Sequence, residues 1–138
     1  MLLYGAEAWT LLSSDATALR VFERKVQHKI FGPVRVGDDL RIRFNTELYE
    51  LLNDLDVVQR INIQRLCLLG HVVHMEEDDP ARRVFNAGIC GSRRRGRLCI
   101  RWKDKIEEAL SSIDVTNWCR RARSRGAWKD VLLQSEIR

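Results

Sequence analysis

Three groups of residues have types and spacings that could do chemistry. Gly37-Asp38-Asp39 is the first, because paired aspartates in a tight hairpin can hold the two metal ions of nucleotidyl transfer. That arrangement needs flanking strands and a third carboxylate from an upstream strand. Here Gly32-Pro33 precedes the aspartates and the segment before it has helical spacing, so Asp38 and Asp39 are expected in a solvated loop and no catalytic residue is assigned. The second group is Cys67, His71 and His74, at i, i+4 and i+7 on one helix face. It could present three zinc ligands, with Cys90 or Cys99 as a fourth. No C-x-x-C pair accompanies it, so no metal and no other cofactor is assigned. With Arg60 on the same stripe, Arg60 and His71 form instead a polar line suited to a nucleic-acid backbone. The third group is the segment Gly91 to Lys103. Arg93, Arg94, Arg95, Arg97, Arg101 and Lys103 suit phosphate contacts, the interleaved glycines let the backbone approach closely, and each neutralised phosphate adds to a salt-dependent affinity. The same composition also suits a nuclear-localisation run.

These residues must be positioned by helices. With two prolines, eight glycines and apolar spacings of three and four in most segments, the predicted fold is all-α. It is a small irregular bundle of about five to six helices with a basic Gly/Arg loop, and no strand pair is evident. A first helix is predicted from Ser14 or Asp15 to Gly32-Pro33. Leu19, Phe22, Val26 and Ile30 fall on one stripe of it, and Arg20, Arg24, Lys25, His28 and Lys29 make a cationic back. Arg20 and Arg24 join the candidate nucleic-acid contacts. A short helix is expected over Thr46 to Asn53, capped by Asn45, with Leu48, Leu51 and Leu52 inward. The long, largely apolar segment from Asp56 to Met75 predicts the central helix, with Arg65 in its apolar arc. A charge there needs a partner, such as Glu47 or Glu50. Beyond Pro80 a brief helix, Ala81 to Ala87, leads into the basic loop, followed by a helix at about Cys99 to Ser112 and a final helical pair that starts at Asp114 or Thr116 and contains Trp118 and Trp128. Trp9, Trp102, Trp118 and Trp128 could stack on unpaired bases, but the helical spacing of Trp102 and Trp128 beside Ile106, Leu110, Val131 and Leu132 puts those two in the core. A single helical domain is expected over 1–138, with thumb-like helices in 1–80, the basic loop region in 81–103 and C-terminal helices in 104–138.

The charge balance narrows the partner. The 138 residues carry 24 Lys+Arg against 19 Asp+Glu, a formal net charge of +5, with a sequence pI of about 9.3. Residues 61–138 hold 16 basic and 10 acidic side chains, a net of +6, whereas residues 1–60 hold 8 and 9, a net of −1. Nineteen of the 24 cations are arginine, which favours planar, bidentate contact with phosphate. RNA or DNA is therefore the expected partner, rather than a membrane or a small-molecule substrate. No apolar run reaches the roughly 18 to 20 residues of a membrane-spanning helix. Met1-Leu2-Leu3-Tyr4 does not open a secretory signal, so the four cysteines are expected as thiols in the nucleus or cytosol.

The chain resembles the C-terminal part of the endonuclease/reverse transcriptase polyprotein of LINE-type (non-LTR) retrotransposons. Leu3-Tyr4-Gly5-Ala6-Glu7-Ala8-Trp9-Thr10 is similar to that family's Leu-Tyr-Gly-Ser-Glu-Thr-Trp-Thr stretch, where the polymerase palm gives way to the thumb. Leu19-Arg20-Val21-Phe22-Glu23-Arg24-Lys25-Val26, Lys29-Ile30-Phe31-Gly32-Pro33 and Asn45-Thr46-Glu47-Leu48-Tyr49 resemble the helices that follow. Arg65-Leu66, Gly70-His71-Val72, Met75, Val84-Phe85, Arg93-Arg94-Arg95-Gly96-Arg97, Arg101-Trp102, Trp118 and Trp128 continue the match in order. The family usually has Trp at Leu68, a basic residue at Cys67 and His74, Pro at Leu98, more cations at Cys99 and Ile100, and acids at Ser124 and Gly126. A decaying or domesticated copy would carry such departures. The resemblance implies a detached thumb and post-thumb region without the palm and endonuclease domains. It would bind template RNA or target DNA rather than catalyse, in the nucleus, with an upstream palm as partner where it belongs to a longer polyprotein. Two alternatives come from other classes: an all-helical protein-interaction module, and a decayed fragment with no independent function.

Overall fold

The computed structural model describes residues 3–52, 55–87, 96 and 101–137. Of these, 69% are helical, in seven α-helices with one small two-stranded sheet, so the fold is all-α. The helices are α1 (Ser13–Phe31), α2 (Asn45–Leu52), α3 (Val57–His74), α4 (Pro80–Asn86), α5 (Trp102–Ser112), α6 (Trp118–Ala122) and α7 (Arg125–Ile137). The backbone divides into two compact units, Leu11–Arg60 and Met1–Thr10 with Ile61–Arg138.

In the first unit, α1 opens where the Asp15 carboxylate accepts the Leu12 N–H at 3.0 Å, and it closes at Gly32, whose φ of 61° suits glycine, before Pro33. Its facing departs from the apolar stripe. No α1 residue is buried, and Phe22, Val26 and Ile30 are exposed, Ile30 by 71%. The partly covered side is polar: Arg20 Nε bonds Asp56 Oδ2 at 2.8 Å, Glu23 accepts the Val57 N–H at 3.2 Å, and His28 Nε2 lies 3.2 Å from Asn45 Oδ1. Leu19 is partly covered beside them, so α1 is rotated away from the predicted facing, with specific hydrogen bonds to the ends of α2 and α3 on its covered side. In α2, Leu48 is fully buried while Leu51 is exposed, which corrects the inward placement of Leu51.

A hairpin also corrects the expected loop at Gly37-Asp38-Asp39. Strands β1 (Val34–Val36) and β2 (Asp39–Arg41) pair antiparallel, with Val34 opposite Arg41 and Val36 opposite Asp39. Gly37, at φ 66°, takes the positive-φ first corner of a two-residue turn, a position that favours glycine. Strands of three residues are shorter than the window over which alternation can be recognised, which is why the spacing alone does not reveal them.

β2 is tied to α2 by one ion pair. Arg41 donates through both terminal guanidinium nitrogens to Glu47, one bond measuring 3.0 Å, and the Phe44 N–H donates to the same carboxylate at 2.8 Å. Arg41 hydrogen bonding, then the Phe44 N–H, holds the Glu47 carboxyl far below its ordinary 4.5, at about 2. A depressed carboxyl stabilises the fold fully above its unfolded value and loses that contribution as pH falls toward the folded one. The stability gap between wild type and Glu47→Gln should therefore be largest above pH 4.5 and close as pH approaches about 2. Denaturant melts across that window measure it, and a gap independent of pH would break the assignment.

The second unit is built on Leu66, Leu69, Ile106, Leu110, Ile113, Val115, Ala122, Trp128 and Val131, with Val73, Phe85, Trp102, Trp118 and Leu132 packed against them. Trp128, 4% exposed, donates its indole N–H to the Leu66 carbonyl at 3.1 Å. Phe85 meets Trp102 and Trp118 edge-on, with centroids 6.3 and 6.4 Å away. The first residues of the chain belong here: the Glu7 carbonyl accepts from Trp102 Nε1 at 2.7 Å and the Trp9 carbonyl from Arg65 at 2.8 Å. Asp114 and Asn117 sit at φ 56° and 55°, a left-handed conformation that Asp and Asn tolerate better than most residues. Their two turns delay the start of α6 to Trp118, past the expected Asp114 or Thr116.

Candidate nucleic-acid interface

The four central arginines of the predicted contact loop, Arg93, Arg94, Arg95 and Arg97, lie outside the described residues, as do Cys90 and Cys99. Arg101 and Lys103, at the C-terminal edge of the same basic stretch, are exposed where α5 begins. The Arg101 N–H is capped by Asp104 at 2.8 Å, which fixes the backbone and leaves the guanidinium outside. The Lys103 ammonium lies 5.7 Å from the centre of the Phe85 ring, so part of its field is spent on the aromatic cluster. At the N-terminal edge Arg82 is structural: it donates to the Val72 carbonyl at 3.3 Å and to that of Val73, closing the C-terminal end of α3.

The remaining candidates divide between the two units. In the first, Arg20 is committed to Asp56, Arg24 is partly covered and Arg60 is exposed. In the second, His71 is exposed on α3 with Cys67, while His74 is partly covered and its Nδ1 lies 2.6 Å from the Gly70 carbonyl. Arg60, Cys67 and His71 thus face solvent as the spacing predicts, and His74 does not. Among the described residues no group of three His, Cys, Asp or Glu side chains could hold a metal ion, at this stripe or at Asp38 and Asp39.

Arg65 departs from its expected pairing. It is 1% exposed, its partners are Asn62 Oδ1 at 2.8 Å and the Trp9 carbonyl, and Glu47 is taken by Arg41. Burial pushes its pKa down, with Glu108 acting in the other direction.

One further basic cluster matches no motif. Arg120, Arg121, Arg123 and Arg125 are exposed across the α6–α7 turn, and no carboxylate occurs between Asp114 and Asp130. In the sequence it shows as a gap in acidic residues, with the single glycine Gly126 in place of the interleaved Gly88, Gly91 and Gly96 of the earlier run.

No helix among the described residues is long and apolar enough to cross a membrane. Comparison with protein-family models, curated proteins and solved structures finds no match for the chain.

Proposed function

We propose that the chain is a non-catalytic nucleic-acid-binding fragment of a non-LTR retrotransposon reverse transcriptase, contacting template RNA or target DNA through its Arg-rich loop and basic helix faces. The observation that carries the reading is the stretch from Pro80 to Lys103, which holds eight cations and no carboxylate. No acid within the stretch offsets its charge, and arginine predominates, as phosphate recognition favours. The ordered resemblance along the chain supplies the reverse-transcriptase assignment, and a nuclear location follows from it.

Binding to RNA or DNA should fall steeply with salt. Replacing Arg93, Arg94, Arg95 and Arg97 together by alanine should reduce the log–log salt slope by about 3 to 4, at roughly 0.7 to 0.9 per lost contact. The loss should be the same for unrelated sequences, because phosphate contacts carry no base information. An unchanged affinity and slope would remove the loop from the interface, and absence of binding by the wild type would end the proposal.

A second reading is favoured by one observation: the apolar stripe Phe22, Val26 and Ile30 on α1 is exposed. A protein-interaction module would use such a stripe, and docking on it would resist salt, so the same titration discriminates the two.

A further inference from the structure

We infer that the α6–α7 turn is a second phosphate-contact surface, in which Arg120, Arg121, Arg123 and Arg125 engage the phosphodiester backbone of a nucleic acid. The inference rests on the nucleic-acid reading above and adds to it a site outside the Gly/Arg loop.

The first argument is what the other cations do. Arg20 pairs with Asp56, Arg35 with Asp38, Arg41 with Glu47 and Lys105 with Glu108, while Arg65 and Arg82 are spent on backbone carbonyls. Cations elsewhere among the described residues, such as Lys29 and Arg83, also have no ion pair, and the α6–α7 turn is set apart by the density of its cations. Its four arginines fall within six residues, all exposed, and no ion pair joins them to a carboxylate among the described residues.

The second argument is energetic. Arg120 and Arg123 are three apart at the end of α6, where the cap residue Arg123 keeps helical angles, a spacing at which like charges repel. The first turn of α7 carries no acid to offset the positive end of its dipole. Arg120 and Arg121 suit the C-terminal turn of α6, but Arg123 and Arg125 add further positive charge beside them at the start of α7, and a polyanion relieves that repulsion.

The third argument is rigidity. The backbone beneath the arginines is held in place. Ala122 is fully buried in the core, the Asn117 carbonyl accepts the Arg120 N–H at 3.0 Å, the Ser124 N–H reaches the Arg121 carbonyl at 3.1 Å, and the Trp128 N–H reaches the Ser124 carbonyl at 2.9 Å. Guanidinium groups carried on an anchored turn lose less freedom on binding than the same groups on a free chain. Made to phosphates and not to base edges, the contacts carry no sequence information.

The test uses the full chain with two probes, a mixed-sequence single-stranded RNA and a duplex DNA of equal length, titrated across salt. Replacing Arg120, Arg121, Arg123 and Arg125 by alanine should weaken binding to both probes and lower the salt slope by about 3 to 4. Replacing the same four by lysine should keep the wild-type slope, since the slope counts charges and not their shape. Should the alanine variant fail to melt cooperatively, glutamine at the same four positions, which keeps side-chain length and removes the charge, decides: folded with a slope lowered by about 3 to 4, it supports the surface, and folded with a wild-type slope, it overturns it. Wild-type binding by the α6–α7 alanine variant, with loss in the Arg93, Arg94, Arg95 and Arg97 variant, overturns this inference and leaves the functional proposal standing. The reverse pattern supports the inference and removes the loop. Failure of the wild type to bind either probe overturns both.

Discussion

Gly70→Ala should destabilise the second unit by about 2–4 kcal/mol, the combined scale of overpacking a core and stranding a buried donor. On α3 itself the change would help, because alanine is favoured over glycine in a helix interior by roughly 1 kcal/mol. Packing reverses the sign. A Cβ on Gly70 would stand 2.5 Å from Trp128 Cδ1 and closer still to Nε1, inside any distance that real atoms adopt. The indole has little room to retreat, being 4% exposed and hydrogen-bonded to the Leu66 carbonyl at 3.1 Å. Moving it strands that N–H and disturbs the core that Leu69, Ile106 and Val131 share with it. Gly126 in α7 is the internal control, since nothing lies within 4 Å of a Cβ built there. Gly126→Ala should therefore be neutral or stabilising by up to about 1 kcal/mol. Denaturant unfolding followed by tryptophan fluorescence measures both, and equal stability of the two variants would mean that Trp128 does not sit over Gly70.

Arg65→Ala should cost about 2–5 kcal/mol, the range for a large side chain removed from a core. The guanidinium is buried with two neutral acceptors, Asn62 Oδ1 and the Trp9 carbonyl, each at 2.8 Å. Truncation leaves a cavity and removes a donor from both acceptors. Arg65→Met separates the two effects by filling most of the volume without the hydrogen bonds. It should recover more than half of the loss, because exchanging a desolvated charge for an apolar side chain of similar size is often close to neutral. One defect should persist in both variants. The Trp9 carbonyl would lose its donor, leaving the N-terminal segment attached through the Trp102–Glu7 bond, so amides around Ala6 to Trp9 should exchange faster with solvent. If methionine proves as damaging as alanine, the guanidinium matters through its charge, and the packing account fails.

Much of the architecture was legible in local spacing. The helical stretches, the stop at Gly32-Pro33, the core position of Trp128 and the outward face carrying Cys67 and His71 all follow from periodicity and chain-breaking residues, which act over one or two helical turns. The basic balance, the arginine excess and the acid-free stretches are likewise properties of composition.

Tertiary structure decided what each residue is used for. Helix α1 is rotated away from the predicted facing, with specific hydrogen bonds to Asp56 and Val57 on its covered side and Ile30 outside. Which arginines remain available to a ligand was equally hidden. Arg20, Arg41, Arg65 and Arg82 have partners that local patterning does not identify. Residues 3–10 join a core made 50 to 95 positions later, through bonds such as Arg65 to Trp9 and Trp102 to Glu7, spanning 56 and 95 residues. Periodicity reports which face of a segment is apolar. Which partner meets that face depends on contacts between residues far apart in the chain, and these exist only after it has folded.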